Sequence, residues 1–230
     1  MYEHFFFDMD HTITPARQLM LPEMHSLLTD SGKDIIIVSG ATLEQVERQV
    51  GSLSCYRLGQ NGNHAIDRNG NELWRFTLSD THKTEILRHI DLLIANLDHE
   101  LHTEWTPIED RGGQITFSPL GNTAPNDLKS AYDPDVTKRF KMLEANPFTS
   151  NDLVVKIGGS TSFDYIHKDH HKGSNVARFI DQLGWKKDDC VYYGDGLYPG
   201  GNDESVIGVI DTVSVEDHLD TYKKLRELLK

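Results

Sequence analysis

The chain opens its pattern of apolar and polar positions with "HFFF" at His4–Phe7, a short run of strand formers, and "DIIIV" at Asp34–Val38 repeats it. Between them "LPEMHSLLTDSG" spaces its apolar residues as a helix does, and strand, helix, strand in succession predicts a parallel sheet. "TLEQVERQVG" predicts a further helix ending on Gly51, the residue type best suited to a C-terminal cap. The same texture returns late in the chain. "NVARFIDQLGW" is amphipathic and "DDCVYYGD" is strand-like, followed by the apolar run "SVIGVID" and a terminal helix in "SVEDHLDTYKKLRELL".

The middle reads differently. "KTEILRHIDLLIANL" predicts a long helix whose apolar residues belong to a core, and "GQITFSPL" alternates as a strand does. "VTKRFKMLEA" and "LVVKIGGSTSFDYI" follow. Helices mixed with hairpin-joined strands suggest an α+β insert rather than further doubly wound units. The expected organisation is a core domain in two pieces, residues 1–80 and 166–230, with an inserted domain at 81–165.

Composition narrows the classes. The chain has 230 residues, 37% hydrophobic and 26% charged, enough for a globular protein with a substantial core. A formal net charge of -13 disfavours nucleic acid and anionic membrane as partners, because phosphate backbones are bound mainly by Lys and Arg. A small phosphorylated ligand stays possible, since a local basic pocket or a metal can overcome the global charge. Two cysteines, Cys55 and Cys190, stand far apart without metal-ligand spacing, so a reducing, cytoplasmic setting is expected rather than a disulfide or zinc scaffold. Phe5–Phe7 is cut off by Asp8 and lacks a basic leader, and no apolar stretch approaches membrane-spanning length.

Parallel sheets place ligand sites at the carboxyl ends of their strands. Asp8 and Asp10 follow "FFF", Ser39 follows "IIIV" and Asp195 follows "VYYG", so three predicted strands end in chemistry at one edge. The acidic positions suit one hard cation, with Mg²⁺ the natural choice for few carboxylates plus water and a substrate phosphate. Asp8 can act as nucleophile, Asp10 as proton donor, Thr12 and Ser39 as hydroxyl donors, and Lys172 as the positive charge a transferring phosphoryl group needs. Plainer readings exist for some of these. Ser39 could cap the next helix, Arg111 could pair with Glu109 or Asp110, and "NGNHAID" could be an ordinary hairpin turn. The histidines of "HKDHHK" (His167, His170, His171) could bind a transition metal or line an entrance beside Lys172.

"DMDHT", "VSG", "KGSN" and "GDGLYPGGND" resemble, in order, the four motifs of the haloacid-dehalogenase-like phosphotransferases. Within that superfamily, "TPARQ", "RGGQITFSPLG", "GGSTSFD" and "PGGND" are similar to the eukaryotic-type phosphomannomutases and the sugar-phosphate phosphatases that share their cap. The resemblance implies an α/β fold, a Rossmann-like core with a parallel sheet and an inserted α+β cap of the C2 type. It implies Mg²⁺ as cofactor. Asp8 would be the phosphorylated residue and Asp10 the acid/base that also lends a backbone carbonyl to the metal. Asp195 would be the third ligand, supported by Asn202 and Asp203. Arg17, Arg111, Ser162 and Asp164 stand where the family holds the sugar and its distal phosphate.

Three positions depart from the family pattern. His11 stands where Gly is usual, Asn122 follows "SPLG" where the mutases carry Arg, and Glu104 lies near an expected basic residue. A mutase must hold a bisphosphorylated sugar in two orientations, so a thinned clamp favours a Mg²⁺-dependent phosphatase acting on a small phosphorylated metabolite such as a sugar phosphate. Hexose-phosphate mutase activity is the alternative, and a sugar-phosphate-binding protein without turnover is a third reading motivated by His11. The expected assembly is a monomer or homodimer.

Overall fold

The computed structural model describes residues 2–229. Two compact units emerge, Met1–Arg75 with His170–Lys230, and Phe76–Asp169. The breaks fall after Arg75 and Asp169 rather than after residues 80 and 165. The first unit's edge hairpin ends at Arg75, and the second unit's last strand runs on to His167.

In the first unit the elements are β1 (His4–Phe7), α1 (Pro22–Asp30), β2 (Asp34–Val38), α2 (Leu43–Val50), β3 (Tyr56–Gly59), β4 (His64–Ile66) and β5 (Glu72–Arg75). The second unit contributes α3 (Asp80–Ala95), β6 (Ile108–Asp110), β7 (Gln114–Phe117), α4 (Asn126–Tyr132), α5 (Thr137–Ala145), β8 (Leu153–Gly158) and β9 (Ser162–His167). The chain then returns to the first unit with α6 (Lys172–Leu183), β10 (Cys190–Gly194), β11 (Asp211–Ser214) and α7 (His218–Leu228).

The first unit's sheet has the order β11-β10-β1-β2-β3-β4-β5, parallel from β11 to β3 and antiparallel at β4 and β5. Successive side chains of a strand point to opposite faces, and both faces are covered here, which explains the unbroken apolar runs. Phe5, Phe7, Ile35, Ile37, Val191 and Tyr193 pack with Met24 and Leu28 of α1, Val46 and Val50 of α2 and Leu225 of α7. Phe6, Ile36, Val38, Cys190 and Tyr192 pack on the other side with Val176, Phe179 and Ile180 of α6. Burial lifts both cysteine thiols to about 12, so neither is a reactive thiolate.

Gly51 ends α2 with φ 61°, as its sequence position predicts. "SVIGVID" is not itself a strand; only its last residue, Asp211, enters β11. Val206 closes a 3-10 turn, Gly208 takes φ 84°, and Val206 and Ile210 fill the layer under α6, so pairing with β10 starts only at Asp211.

The second unit is a four-stranded antiparallel sheet, β6-β7-β9-β8, with three helices. Ile115, Phe117, Phe163, Tyr165 and Leu153 pack with Ile86, Ile90 and Leu93 of α3. Alternation sends Glu109, Gln114, Thr116, Ser162 and Asp164 to the opposite face, which is therefore polar. Helix α4 has no counterpart in the apolar pattern because "NDLKSAY" presents only a short stretch of apolar positions.

Candidate active site

The carboxyl edge of the parallel sheet collects the expected groups by simple register. β1, β2 and β10 are adjacent and aligned, His4 opposite both Cys190 and Asp34, so the residues that leave their ends emerge side by side. Asp8 is the first residue past β1, tied back by its own N–H to Tyr193 O at 3.0 Å. Lys172 begins α6, whose N-terminus is capped by His171, the side chain accepting from Ser174 N–H at 3.2 Å. Gly173 is what lets that helix end come in: a Cβ there would collide with the carbonyl of Ser205. Its N–H instead donates to Ser205 Oγ at 3.1 Å.

Lys172 is 1% exposed, and its ammonium donates to Asp8 Oδ1 at 2.6 Å and Asp203 Oδ1 at 2.7 Å. Burial alone would lower its pKa, but Asp203 and Asp8 together raise it well above the ordinary range, so the site holds a permanent cation. The Asp8 pKa is raised as well. Burial raises its pKa well above the usual value, Lys172 opposes, and the neighbouring charges of Asp203 and Asp195 raise it further. Asp195 is likewise raised, by burial and then by Asp203. Repulsion of this kind is what a bound cation relieves.

One oxygen from each of Asp8, Asp195 and Asp203 lies within 4.8 Å of the others, and this is the only such group of potential metal ligands among the described residues. The donors are all hard oxygens, which fits Mg²⁺. They are not equivalent. Asp203 is fully buried and already engaged: Oδ1 receives Lys172 and the Tyr192 hydroxyl at 2.7 Å each, and Oδ2 receives Gly196 N–H at 3.1 Å. Asp8 and Asp195 each keep an oxygen that accepts no hydrogen bond from the described residues. Asp203 therefore holds Lys172 and the 195–203 loop, while the open oxygens belong to Asp8 and Asp195. Asn202 is exposed beside Gly196, on the same loop.

The other first-unit positions divide in two. Ser39 directly follows β2, is 4% exposed and accepts Ala41 N–H at 3.1 Å, which leaves its own proton to donate outward. The helix cap is Thr42, which accepts Gln45 N–H, so capping is not what Ser39 does. Thr12 is committed within the site. Its hydroxyl donates to Asp195 Oδ1 and accepts Asp195 N–H, both at 3.1 Å, so it positions Asp195 rather than facing a substrate. Asp10 Oδ1 accepts Arg17 N–H at 2.7 Å and Gln49 Nε2 at 2.9 Å. His11 bears φ 63° in the turn beyond, a conformation Gly adopts freely and His at a cost of about 1 kcal/mol. When positive, its charge lowers the pKa of Asp195.

The remaining expected residues lie on the polar face of the second unit's sheet. Arg111, mostly buried, donates to Glu109 Oε2 at 2.7 Å. Asp164 Oδ1 accepts the Thr116 hydroxyl at 2.8 Å, and Thr116 Oγ1 in turn receives Gln114 Nε2 at 2.8 Å. Burial raises the Asp164 pKa, and Arg111 partly opposes this. Gly158 on the neighbouring strand leaves room for that carboxylate, which a Cβ would strike. Ser162 precedes Asp164 by two residues on the same face, its carbonyl accepting from the buried Arg139. Asn122 is turned inward, its amide donating to Thr106 O and Pro107 O, and Glu104 is exposed and pairs with His102.

The "HKDHHK" histidines do not assemble a metal site with a third ligand within reach among the described residues. His171 is spent as the helix cap, and His167 lies near His82, ring centroids 5.8 Å apart. Two engaged side chains, Tyr192 and Gln49, lie outside what the motifs supply, and a third group adjoins the "NGNHAID" stretch whose plain reading is a turn. Tyr192 is hidden in an apolar strand. Gln49 carries a visible signal, a polar residue between Val46 and Val50 on the buried stripe of α2. Gln60 and Asn61, both left-handed, brace the edge after β3, Asn61 N–H donating to Ser39 O at 2.8 Å.

A parallel sheet whose strand ends carry Asp8, Asp10, Ser39 and Asp195, with Lys172 at the start of α6, is the arrangement that the resemblance to the haloacid-dehalogenase-like class implies, and solved structures share the fold. A haloacid dehalogenase-like hydrolase from B. subtilis superposes with a TM-score of 0.68 over 98% of this chain and 99% of its own, at 13% identity. IMP-nucleotidase from Plasmodium falciparum gives 0.72 over 99% of this chain and 68% of its own, at 15% identity. Residues 28–230 match the family profile described as eukaryotic phosphomannomutase, and the chain belongs to that family. Among curated relatives, phosphomannomutase from Glycine max is 27% identical, covering 96% of this chain and 94% of its own length. The Schizosaccharomyces pombe phosphomannomutase is also 27% identical, with coverage of 96% and 92%. No helix among the described residues is long and apolar enough to cross a membrane.

Proposed function

We propose that the protein transfers the phosphoryl group of a small phosphorylated metabolite, a sugar phosphate, to Asp8, and that water is the preferred final acceptor. The observation carrying the reading is the buried Asp8–Lys172–Asp203 constellation, in which a carboxylate keeps one open oxygen beside a permanent cation. Mg²⁺, which Asp8 and Asp195 would hold with Asp203 and Asn202 in support, supplies the charge that lets a carboxylate approach a phosphate dianion.

In the first step the free oxygen of Asp8 bonds to phosphorus while the bond from phosphorus to the leaving oxygen breaks. Asp10 gives that oxygen its proton, and Lys172 and the Ser39 hydroxyl stabilise charge on the transferring group. In the second step a water oxygen bonds to phosphorus, Asp10 takes the water's proton, and the Asp8–phosphorus bond breaks to release inorganic phosphate. Arg17, Arg111, Ser162 and Asp164 are proposed to read the rest of the substrate. Water is favoured over a sugar hydroxyl because Arg111 is already neutralised by Glu109 and Asn122 is turned into the protein, which is poor provision for a second phosphate.

Family membership favours a second reading, a hexose-phosphate mutase in which a sugar hydroxyl accepts the phosphoryl group. The test is turnover of hexose 1-phosphate with Mg²⁺, with and without catalytic hexose 1,6-bisphosphate, following free phosphate and hexose 6-phosphate separately. Free phosphate that disappears in Asp8→Asn supports the phosphatase. Hexose 6-phosphate without phosphate release establishes the mutase and overturns water as acceptor, whereas ligand-induced thermal stabilisation without Asp8-dependent turnover would mean a binding protein.

A further inference from the structure

Helix α2 buries Leu43, Val46 and Val50, and Gln49 lies among them at 1% exposure. An amide on the buried stripe of a helix is costly unless its polar atoms are satisfied. Here they are satisfied by the catalytic turn. Gln49 Nε2 donates to Asp10 Oδ1 at 2.9 Å and to Thr14 Oγ1 at 3.2 Å, while its Oε1 accepts Gln45 Nε2 at 3.3 Å. Its backbone carbonyl accepts Met20 N–H at 2.8 Å, so both ends of the residue grip the segment that follows Asp8.

Asp10 Oδ1 thus sits between a side-chain amide and the Arg17 backbone N–H at 2.7 Å. Gln49 donates from the core, and Arg17, an exposed residue, presents its backbone N–H from a left-handed turn with φ 56°. Two donors converging on one oxygen orient the carboxyl group, leaving Oδ2 as the atom that can exchange a proton with a reacting group. We propose that Gln49 is a positioning residue for the acid/base, setting the direction from which Asp10 delivers a proton to the leaving oxygen. The role presupposes the phosphoryl-transfer reading above.

A group that positions an acid matters in proportion to how badly the leaving oxygen needs a proton. 4-Nitrophenyl phosphate expels a stable phenolate and needs little help, while phenyl phosphate, nearly the same shape, needs much more. kcat/KM reports the steps through formation of the phosphorylated enzyme, where Asp10 acts as acid. Gln49→Met keeps the length and apolar packing and removes the amide. The expected result is a fall of about tenfold in kcat/KM for phenyl phosphate and less than about twofold for 4-nitrophenyl phosphate.

Gln49→Asn, whose amide is one methylene too short, should show the same discrimination and serves if Gln49→Met folds poorly. On an Asp10→Ala background Gln49→Met should have no further effect on phenyl phosphate. Equal losses on both substrates, or no loss on either, would overturn the role, because a brace for the fold does not sense the leaving group. If the wild-type chain cleaves neither ester in an Asp8-dependent way, the phosphoryl-transfer reading fails and this role with it. If the wild type cleaves both and Gln49→Met matches it, the role alone fails.

Discussion

The edge of the parallel sheet and the polar face of the inserted sheet carry their charges in opposite ways. At the first, Asp8, Lys172 and Asp203 are buried and each carboxylate is ion-paired through one shared ammonium. At the second, Arg111 is answered by Glu109 next door, and Asp164 has only neutral donors within hydrogen-bonding distance among the described contacts. A buried charge survives only with a partner, so the first arrangement has little freedom to vary. The second is paired less tightly; two of the three departures from the family pattern, Asn122 and Glu104, lie in the same unit, while the third, His11, lies beside Asp10 in the first.

The sharpest way to break that contrast is Lys172→Met. It leaves two buried carboxylates facing each other, so stability should fall by about 3 kcal/mol, and turnover by about a thousandfold. Urea unfolding and 4-nitrophenyl phosphate turnover with Mg²⁺ check the two parts. Stability within about 0.5 kcal/mol of wild type would mean that the constellation is not held together as described.

The inserted unit has a buried pair of its own that serves packing instead of chemistry. Arg139 is 1% exposed, donates to Asp133 Oδ2 at 2.7 Å, and also reaches the carbonyls of Gly158 and Gly159, which clasps α5 to the β8–β9 hairpin. Arg139→Met should cost the inserted unit about 3 kcal/mol by stranding Asp133. Hydrogen exchange should rise across β8, β9 and α5 while β1, β2 and β10 keep their protection. Uniform loss in both units would show that they unfold together, and that the contrast holds for chemistry only.

Legibility followed periodicity and motif order. "FFFD", "IIIVSG" and "VYYGD" announce strands because a sheet covered on both faces needs unbroken apolar runs, and the residue after each run must then lie at its carboxyl edge. Lys172 was readable because "KGSN" opens an amphipathic helix. Partnership was not readable. Whether Thr12 faces a substrate or Asp195, or Arg111 faces a phosphate or Glu109, depends on side-chain direction across elements far apart in sequence. Tyr192 was invisible for another reason: an aromatic at an alternating strand position looks like core, and its body is core, while only the hydroxyl reaches Asp203.

That hydroxyl offers a gentler probe of the first region. Burial, with Asp203 and Asp8 close by, holds the Tyr192 pKa well above its ordinary value, so the group is a neutral donor at every working pH. Tyr192→Phe should cost about 1.5 kcal/mol and about tenfold in turnover, because Lys172 becomes the sole donor to Asp203 Oδ1. The Mg²⁺ concentration for half-maximal activity should change less than about twofold, since Tyr192 touches Asp203 and not the open oxygens of Asp8 or Asp195. A large shift in that concentration would instead make Asp203 a direct ligand.

The smallest effect is expected in the second region, with the opposite sign. Burial raises the folded-state pKa of Asp164 above its unfolded value, so the ionised carboxylate costs stability in the folded chain. That cost is absent at pH below the ordinary carboxylate range, grows as pH rises through the interval up to the raised pKa, and is fully present beyond it. Asp164→Asn removes the charge while its amide oxygen can still accept the Thr116 hydroxyl, so the variant should melt about 2 °C higher than wild type near neutral pH. The advantage should shrink as pH falls through the raised pKa and vanish below the ordinary carboxylate range, where the wild-type carboxyl is protonated in both states. If the proposed role of Asp164 in holding sugar hydroxyls is right, the same variant should raise KM for a hexose phosphate while kcat/KM for 4-nitrophenyl phosphate is unchanged. A more stable protein with worse recognition is what a charge retained for binding predicts, whereas a loss of stability at neutral pH would show that Arg111 more than repays the burial and that this face is as tightly paired as the other.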